Sequence, residues 1–466
     1  MKFKSIGGSD SVTGSAHLVI DEDGFECILD YGMFQGLGNE TLSRNQHLGL
    51  NPHRLNAVVL SHAHIDHSGR IPLLFKNGYK GPVYCTPGTL DLCRILLLDS
   101  AHIQEADVRY VNKIRKRRGQ DLLKPLYSVT DVERSLKYFK SVPYNNWFSL
   151  NANLKFKFIE NGHITGSAAV ELQWQSPAPK RMLYTGDIGR YHDLLLKAPQ
   201  PFNAVDFILC ESTYGDRLHE PASNMEAQLL KIVNDVCVTN KGKLFIPAFS
   251  LGRTQEIVFL MDRMKTKGLW PDVPVFVDSP LSSNATEIVR RHHECFNGSL
   301  TEYIQTDPDP FGFNQLHYIT ERADSKALSD SAAPAIIISA SGMADAGRIK
   351  HHLFKGLSAA INGVLIVGYC SPSSLGAKLL NGATQVKLFG EPVEVKALVF
   401  SMMSLSAHAD ARELIQYLSC QEAATVKTLY LVHGEDTVKT SFKTRLQALG
   451  YSDVQIPQPG VTYTLN

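Results

Sequence analysis

The residues with the clearest chemical potential lie in one short stretch, 61–69, which reads Ser-His-Ala-His-Ile-Asp-His-Ser-Gly. Its metal-capable side chains are His62, His64, Asp66 and His67. Imidazole and carboxylate ligands without a thiolate suit zinc better than manganese or iron. The stretch therefore predicts a metal site. Histidines on an ordinary polar loop are the alternative, which this density of ligand types disfavours.

The residues before this stretch indicate how its ligands are positioned. Leu55 to Leu60 is an apolar run that predicts a buried strand. Because a strand alternates its faces, His62 and His64 point the same way. A turn that enters a helix then brings Asp66 and His67 to the other side of the same pocket. We therefore expect the histidine pair to hold one ion and the Asp-His pair to help hold a second.

The His-x-His-x-Asp-His spacing resembles the signature of the metallo-β-lactamase superfamily. That resemblance implies further ligands after later strand-like runs, and the chain offers His163, Asp187 and His433 in the family's order. It implies two zinc ions and a metal-activated hydroxide. One ion takes His62, His64, His163 and Asp187, and the other takes Asp66, His67, Asp187 and His433. Asp30, which follows an apolar run, matches an acid that orients a ligand histidine.

A different pattern begins near residue 216. Short apolar runs at 243–247, 273–277, 335–339 and 363–367 alternate with helical stretches, which predicts an α/β unit with a mainly parallel sheet. An insertion here resembles the β-CASP ribonuclease branch of the superfamily. The implied α/β fold is a metallo-β-lactamase αββα sandwich interrupted by a β-CASP domain. We predict the first part of the sandwich at 1–212, the insertion at 213–392 and the second part at 393–466.

Two further motifs of that branch narrow the substrate. Glu211 ends an apolar run, and His408 lies in Ser-Ala-His-Ala-Asp. The resemblance implies that His408 is a general acid, that Glu211 bonds its other ring nitrogen, and that Asp66 and Asp187 act at the metals. Members of the branch that act on DNA typically carry valine at the position of His433, whereas those that act on RNA carry histidine, so the resemblance implies an RNA substrate. Within the branch, the segments 252–255 and 341–343 most resemble bacterial and archaeal homologues of the endonuclease subunit of the cleavage and polyadenylation machinery.

Candidate phosphate contacts follow three strand-like runs, in the turns at 247–255, 339–348 and 368–376. Arg253, Ser341, Gly342 and Arg348 lie at strand-to-helix turns, where backbone amides and arginine suit anions. Routine turns use glycine and serine as well, so this alternative stays open. The basic run at 113–118, with Arg109 before it, is either a solvated helix face or a grip on phosphates.

Length and composition limit the number of domains and the kinds of partner that the protein can have. The 466 residues suffice for two or three domains, and 47 basic against 46 acidic side chains give no global sign of a polyanion partner. An RNA site must therefore be a local patch. The 8 cysteines are scattered, the N-terminal residues show no long apolar core of the kind that a signal peptide has, and no uninterrupted apolar stretch reaches membrane length. We expect a soluble cytoplasmic protein.

The sequence thus predicts a zinc-dependent ribonuclease that cleaves single-stranded RNA. Internal cleavage is favoured, and 5′-exonuclease action stays open. The alternatives are a metallohydrolase of a small ester, thioester or lactam, a non-catalytic RNA-processing scaffold subunit, and a DNA nuclease. The sequence leaves the oligomeric state open and allows a homodimer.

Overall fold

The structure is a computed structural model that describes residues 1–38, 40–176, 178–219, 224–402 and 405–466. The chain forms two compact units. The first comprises Met1–Leu218 and His408–Asn466, and the second comprises His219–Ala407. The segment 393–407 lies in the second unit. The domain bounds expected from the sequence stay a prediction.

The first part of the first unit alternates strands and helices. Its strands are β1 (Lys2–Gly7), β2 (Ala16–Ile20), β3 (Glu26–Leu29), β4 (Leu55–Val59), β5 (Val83–Cys85), β6 (Phe139–Ser141), β7 (Phe148–Ser149), β8 (Leu154–Glu160), β9 (Ala168–Ser176), β10 (Ala178–Tyr184) and β11 (Phe207–Glu211). Its helices are α1 (Glu40–Gln46), α2 (Ile65–Ser68), α3 (Ile71–Lys76), α4 (Pro87–Arg117) and α5 (Val129–Leu136).

The second unit is an α/β domain. Its helices are α6 (Met225–Val233), α7 (Arg253–Thr266), α8 (Pro280–Arg291), α9 (Gly298–Tyr303), α10 (Arg322–Asp330), α11 (Ile349–Gly356) and α12 (Leu375–Leu380). Its strands are β12 (Lys243–Pro247), β13 (Val275–Asp278), β14 (Leu316–Ile319), β15 (Ala335–Ser339), β16 (Gly363–Ile366), β17 (Gln385–Leu388), β18 (Glu391–Glu394) and β19 (Leu398–Ser401). The main sheet has the order β14-β13-β15-β12-β16-β19, and all its pairs are parallel. The predicted parallel sheet is confirmed.

The chain then returns to the first unit through α13 (Ala411–Leu418), β20 (Thr428–Val432), α14 (Asp436–Ala448), β21 (Val454–Gln455) and β22 (Thr462–Thr464). Two seven-stranded sheets result, with orders β22-β1-β2-β3-β4-β5-β6 and β21-β20-β11-β10-β9-β8-β7. Strand β20 pairs in parallel with β11, and β11 with β10. The late segment therefore completes a sheet begun before the insertion.

The core of the first unit lies between these two sheets. Alternate residues of facing strands fill it, such as Leu29 and Val59 from one sheet and Phe158 and Val432 from the other. A second apolar cluster lies behind the second sheet, where Leu414 of α13 and Phe442 of α14 pack. Helices thus cover a pair of packed sheets, as the expected αββα sandwich requires.

The eight cysteines are free thiols. None of the helices in the described ranges combines the length and apolar character that crossing a bilayer requires.

Candidate metal centre

The candidate ligands meet because strands of both sheets end at one edge of the sandwich. His62 and His64 follow β4, Asp187 follows β10, and His433 follows β20 directly. His163 follows β8, which runs parallel to β10 because each pairs antiparallel with β9. Residues far apart in sequence therefore lie side by side.

The first ligand set is compact. Nδ1 of His64 lies 3.2 Å from Nε2 of His62 and 3.2 Å from Nε2 of His163. Oδ2 of Asp187 lies 3.5 Å from Nε2 of His62 and 3.6 Å from Nε2 of His163. A tetrahedral ion with Zn–N bonds of 2.0–2.1 Å needs ligand atoms about 3.3–3.4 Å apart. The set therefore has the spacing of a four-coordinate metal site.

A second set lies beside the first. Nε2 of His433 lies 3.3 Å from Nε2 of His67 and 3.5 Å from Oδ2 of Asp66. Oδ1 of Asp187 lies 3.2 Å from Nε2 of His67. One carboxylate therefore turns one oxygen towards each set, which is the geometry of a bridging ligand.

The donors of both sets fit a metal. Among the described residues, the buried Oδ1 of Asp187 accepts no hydrogen bond of normal geometry, although Nε2 of His67 lies 3.2 Å away, and an ion beside it would supply the missing interaction. Neutral imidazoles and carboxylates are the required ligand forms. Burial, together with the charge of His67, holds the pKa of His62 well below its usual value, and burial lowers the pKa of His64 to about 4. Both rings are therefore neutral at pH 7.

The position of His67 favours positive charge. Burial opposes protonation there, but Asp187 and Asp30 outweigh it and raise the pKa of His67 well above the ordinary value. Burial would likewise raise the pKa of Asp187, yet the charges of His433 and His67 hold it well below its usual range. Carboxylates on both sides of one ring make a pocket suited to a cation.

Asp30 hydrogen-bonds to His67 of the second set. Its Oδ2 accepts hydrogen bonds of 2.6 Å each from Nδ1 of His67, Oγ of Ser61 and the hydroxyl of Tyr184. The backbone N–H of Ser61 donates to Oδ1 at 2.6 Å. In the neutral ring that would bind an ion, Nδ1 of His67 donates to Asp30 and Nε2 carries the lone pair. Ser61 and Tyr184 were not singled out from the sequence, although Tyr184 lies only three residues before Asp187.

His408 and Glu211 lie next to the ligand cluster. Nδ1 of His408 is 3.4 Å from Oε1 of Glu211, and the rings of His408 and His163 have centroids 4.5 Å apart. Glu211 is 1% exposed. Burial disfavours the charged ring, but Glu211 outweighs this and raises the pKa of His408 to about 9. The His408 side chain is 21% exposed, so it is the part of this pair that solvent reaches.

Thr213 connects the pair to the second ligand set, a role that no sequence pattern indicates. Its hydroxyl donates to Oε2 of Glu211 at 2.6 Å and lies 3.0 Å from Nδ1 of His433. The hydroxyl hydrogen has two acceptors, Oε2 of Glu211 at 2.6 Å and the carbonyl oxygen of His433 at 3.2 Å, so we infer that Nδ1 of His433 donates to Oγ1. That arrangement leaves Nε2 of His433 as the ligand atom.

The candidate RNA contacts lie in the second unit. Arg253 is 6% exposed and forms an ion pair with Glu256, at the start of α7. Arg348 donates to Oδ1 of Asp278 at 2.7 Å and to the carbonyl of Thr320 at 2.6 Å. These contacts hold both guanidinium groups within the unit.

The two small candidate residues, Ser341 and Gly342, lie just after the end of β15. Oγ of Ser341 accepts a hydrogen bond of 3.1 Å from the backbone N–H of Ala346. At Gly342, a Cβ would lie 2.6 Å from the ring of Phe249, so close packing explains this glycine. RNA contact by Arg253, Ser341, Gly342 and Arg348 stays a prediction.

Comparison with protein families divides the chain in the same order. Residues 12–124 match the metallo-beta-lactamase superfamily, 254–379 match the Beta-Casp domain, and 392–457 match a Zn-dependent metallo-hydrolase RNA specificity domain. Relatives match over most of the chain. Ribonuclease TTHA0252 of Thermus thermophilus is 33% identical over 437 residues, which cover 94% of each chain. An RNase J-like protein of Methanocaldococcus jannaschii is 30% identical over 392 residues, or 83% of each chain.

A longer relative and a solved structure complete the comparison. Transcription termination factor FttA of Cenarchaeum symbiosum is 29% identical over 449 residues, which cover 93% of this chain and 66% of that protein. A crystal structure of a protein of unknown function from Enterococcus faecalis covers 100% of this chain and 99% of its own, with a TM-score of 0.54 and 14% identity. At that identity it supports the fold alone. The chain belongs to the β-CASP family of the metallo-β-lactamase superfamily.

Proposed function

We propose that the protein is a zinc-dependent ribonuclease that hydrolyses phosphodiester bonds of single-stranded RNA. The observation that carries the proposal is the His408–Glu211 pair, which lies against two adjoining ligand sets. A metal centre alone would serve many hydrolases. A buried carboxylate that holds a partly exposed histidine beside it adds a proton donor, which the leaving oxygen of a phosphodiester needs.

The side chains divide the work as follows. We assign His62, His64, His163 and Asp187 to one zinc ion, and Asp66, His67, Asp187 and His433 to the other. A bound zinc pair supplies Lewis-acid charge and a hydroxide nucleophile at neutral pH. Glu211 fixes Nδ1 of His408, so that Nε2 delivers the proton to the leaving oxygen. Asp30 and Thr213 hold the rings of His67 and His433 in their ligand tautomers.

RNA as the substrate is supported by the relatives' names and by the match of residues 392–457 to an RNA specificity domain. We favour internal cleavage over release from a 5′ end. A homodimer and a cytoplasmic location stay predictions from the sequence.

The test is cleavage of single-stranded RNA labelled at its 5′ end by the zinc-loaded full chain, beside a matched DNA oligomer and a chromogenic lactam. We expect internal fragments from RNA alone. Immediate release of labelled mononucleotide would replace internal cleavage by 5′-exonuclease action. Hydrolysis of the lactam with intact RNA would overturn the proposal.

A variant pair isolates the proton donor. His408→Ala should retain zinc and lose about 100-fold to 10,000-fold in cleavage rate. The control is His47→Ala, which alters an exposed histidine of another segment and should cleave normally. If His408→Ala cleaves as fast as the control, His408 has no part in the reaction.

A further inference from the structure

The C-terminal half of α4 carries a concentrated positive charge that the metal centre does not use. Residues 109–118 contain six basic side chains and no acidic one. The whole chain has 47 basic and 46 acidic residues, so this excess is local. Solvated helices often carry charge, but they usually mix both signs.

Most basic side chains on the outer side of this helix make no hydrogen bond or ion pair within the described part of the chain. In the described part of the chain, no hydrogen bond or ion pair engages the side chains of Lys113, Lys116, Arg117 and Arg118, and all four are exposed. Arg115, by contrast, donates from Nε to the carbonyl of Asp121 at 2.5 Å. The inner side of the helix is therefore held, whereas the outer side offers free cations.

The same outer side presents apolar surface. Tyr110 is 68% exposed, and Ile103 and Ile114 are exposed as well. The spacing of 103, 110 and 114 places these side chains on one face of the helix. The opposite side is anchored, because Nδ2 of Asn112 donates to the carbonyl of Leu123 and Oδ1 accepts from its N–H, both at 2.9 Å. The exposed face is thus presented by a fixed helix.

We propose that Tyr110, Lys113, Lys116, Arg117 and Arg118, here called the basic patch, bind single-stranded RNA outside the metal centre. Cationic side chains contact successive phosphates, and an exposed aromatic ring stacks on a base; the two together are the chemistry of strand binding without sequence preference. A second copy of the chain is a poor occupant, since two such helices would oppose like charges. Favourable interaction with the helix dipole accounts only for basic residues in the last turn and leaves Lys113 and Tyr110 unexplained.

The patch lies far along α4 from the metal centre. The helix starts beside the segment that follows His163, where the hydroxyl of Thr89 donates to the carbonyl of Gly166 at 2.8 Å. From Pro87 to Lys113 the helix advances about 40 Å. RNA at the patch is therefore a different part of the strand from the bond being cleaved. This inference rests on the proposed action on RNA, and it predicts that long substrates gain from the patch while short ones do not.

The test compares two variants with equal loss of charge. The patch variant is K113Q/K116Q/R117Q/R118Q, and the control K2Q/K80Q/K326Q/K387Q removes four scattered, exposed lysines. Binding of a long, labelled single-stranded RNA is measured by fluorescence anisotropy across a range of salt. The protein is the zinc-loaded full chain with His408→Ala, and a gel checks that the RNA stays intact. The slope of log affinity against log salt should become shallower by about 2 to 3 in the patch variant and clearly less in the control.

Further measurements separate the possible outcomes. Tyr110→Ala should weaken binding about tenfold without changing the salt slope. In chains with His408 intact, the patch variant should cleave a short oligonucleotide normally and a long RNA poorly at low concentration. Equal salt slopes for the patch and control variants would overturn the proposal that the basic patch binds RNA. Patch-dependent binding of an acidic peptide but not of RNA would overturn it as well. Absence of cleavage by every chain, with a patch-dependent slope retained, would instead count against the proposed function.

Discussion

Replacing Thr213 with valine tests whether the proton-donor pair and the second ligand set are coupled. Valine has nearly the same shape, so packing is conserved while the hydroxyl is lost. The change removes the 2.6 Å bond to Glu211 and the 3.0 Å contact with Nδ1 of His433. Glu211 still accepts hydrogen bonds from the backbone N–H groups of Ile188 and Thr213. The loss therefore falls mainly on His433.

The expected magnitude follows from these contacts. Without Oγ1, the N–H at Nδ1 of His433 loses its nearest acceptor and keeps only a contact of 3.4 Å with Oδ1 of Asp187, so the ring is held less firmly in one tautomer. A hydrogen bond to a charged group contributes about 1.5–3 kcal/mol, and a neutral one about 1 kcal/mol. If about 2 kcal/mol of this is lost from zinc binding, affinity at the second set falls about 30-fold. Changes to groups that orient a metal ligand typically cost 10–100-fold, which agrees.

The assay is a zinc titration against a competing chelator, with the number of bound ions determined for each affinity class. Thr213→Val should weaken the binding of one zinc ion and leave the affinity for the other unchanged, because Thr213 contacts no ligand of the first set in the described structure. Thr213→Ser keeps the hydroxyl and is the matched control. It should restore both the second affinity and the cleavage rate.

If Thr213→Val bound two ions as tightly as the wild type, Thr213 would not hold His433 in its ligand tautomer. Equal weakening of both ions would point instead to a general disturbance of the fold. Failure of serine to restore binding would show that the methyl group, and not the hydroxyl, matters.

Three further predictions concern the metal bridge, pH and a close approach of the backbone. Asp187→Ala should reduce bound zinc below two ions per chain and abolish cleavage; two retained ions, counted by elemental analysis, would contradict the bridging role. Burial raises the pKa of Asp262 to about 7. Because an unfolded aspartate titrates near 3.9, the stability that the buried acid contributes is full below pH 4 and is lost as pH rises to 7. Relative to Asp262→Asn, the wild type should lose about 2 kcal/mol over that range after allowance for solvent screening, as urea unfolding would show; parallel pH profiles would refute this. A Cβ on Gly32 would lie 1.6 Å from the carbonyl oxygen of Asp66, so Gly32→Ala should lower the melting temperature and zinc content; Gly298→Ala, where nothing lies within 4 Å, should change neither, and equal effects would remove the steric explanation.

Much of the architecture was predictable because its signals are local. The apolar run at 55–60 and the continuous runs of the insertion have the length and composition of buried strands, and strands form at each of these places. The order of the ligand motifs could also be predicted, since each follows its own strand. Some observed strand bounds differ from the predicted runs by a residue or two, as at β13, which spans Val275–Asp278 where the predicted run is 273–277.

Except for Asp30, the groups that orient the ligands could not be predicted from the sequence. Ser61 and Tyr184 contact Asp30 only because β4, β10 and the residues after β3 converge at one edge. No local pattern marks a tyrosine hydroxyl as a partner for a carboxylate more than 150 residues away. Arg253 shows the opposite case, since the sequence suggests a phosphate contact whereas the folded unit pairs its guanidinium with Glu256.

By itself, the sequence determined the types of ligand, their grouping around His62–His67, the presence of an inserted α/β unit and the charge excess at 109–118. These properties depend on residue identity and short spacing, which chain order preserves. Only the tertiary structure decided that Thr213 joins Glu211 to His433 and that, in the described part of the chain, the side chains of Lys113, Lys116, Arg117 and Arg118 have no hydrogen-bond or ion-pair partner. Such features depend on distances of a few ångströms between residues far apart in sequence, and these distances are set only when the two sheets pack.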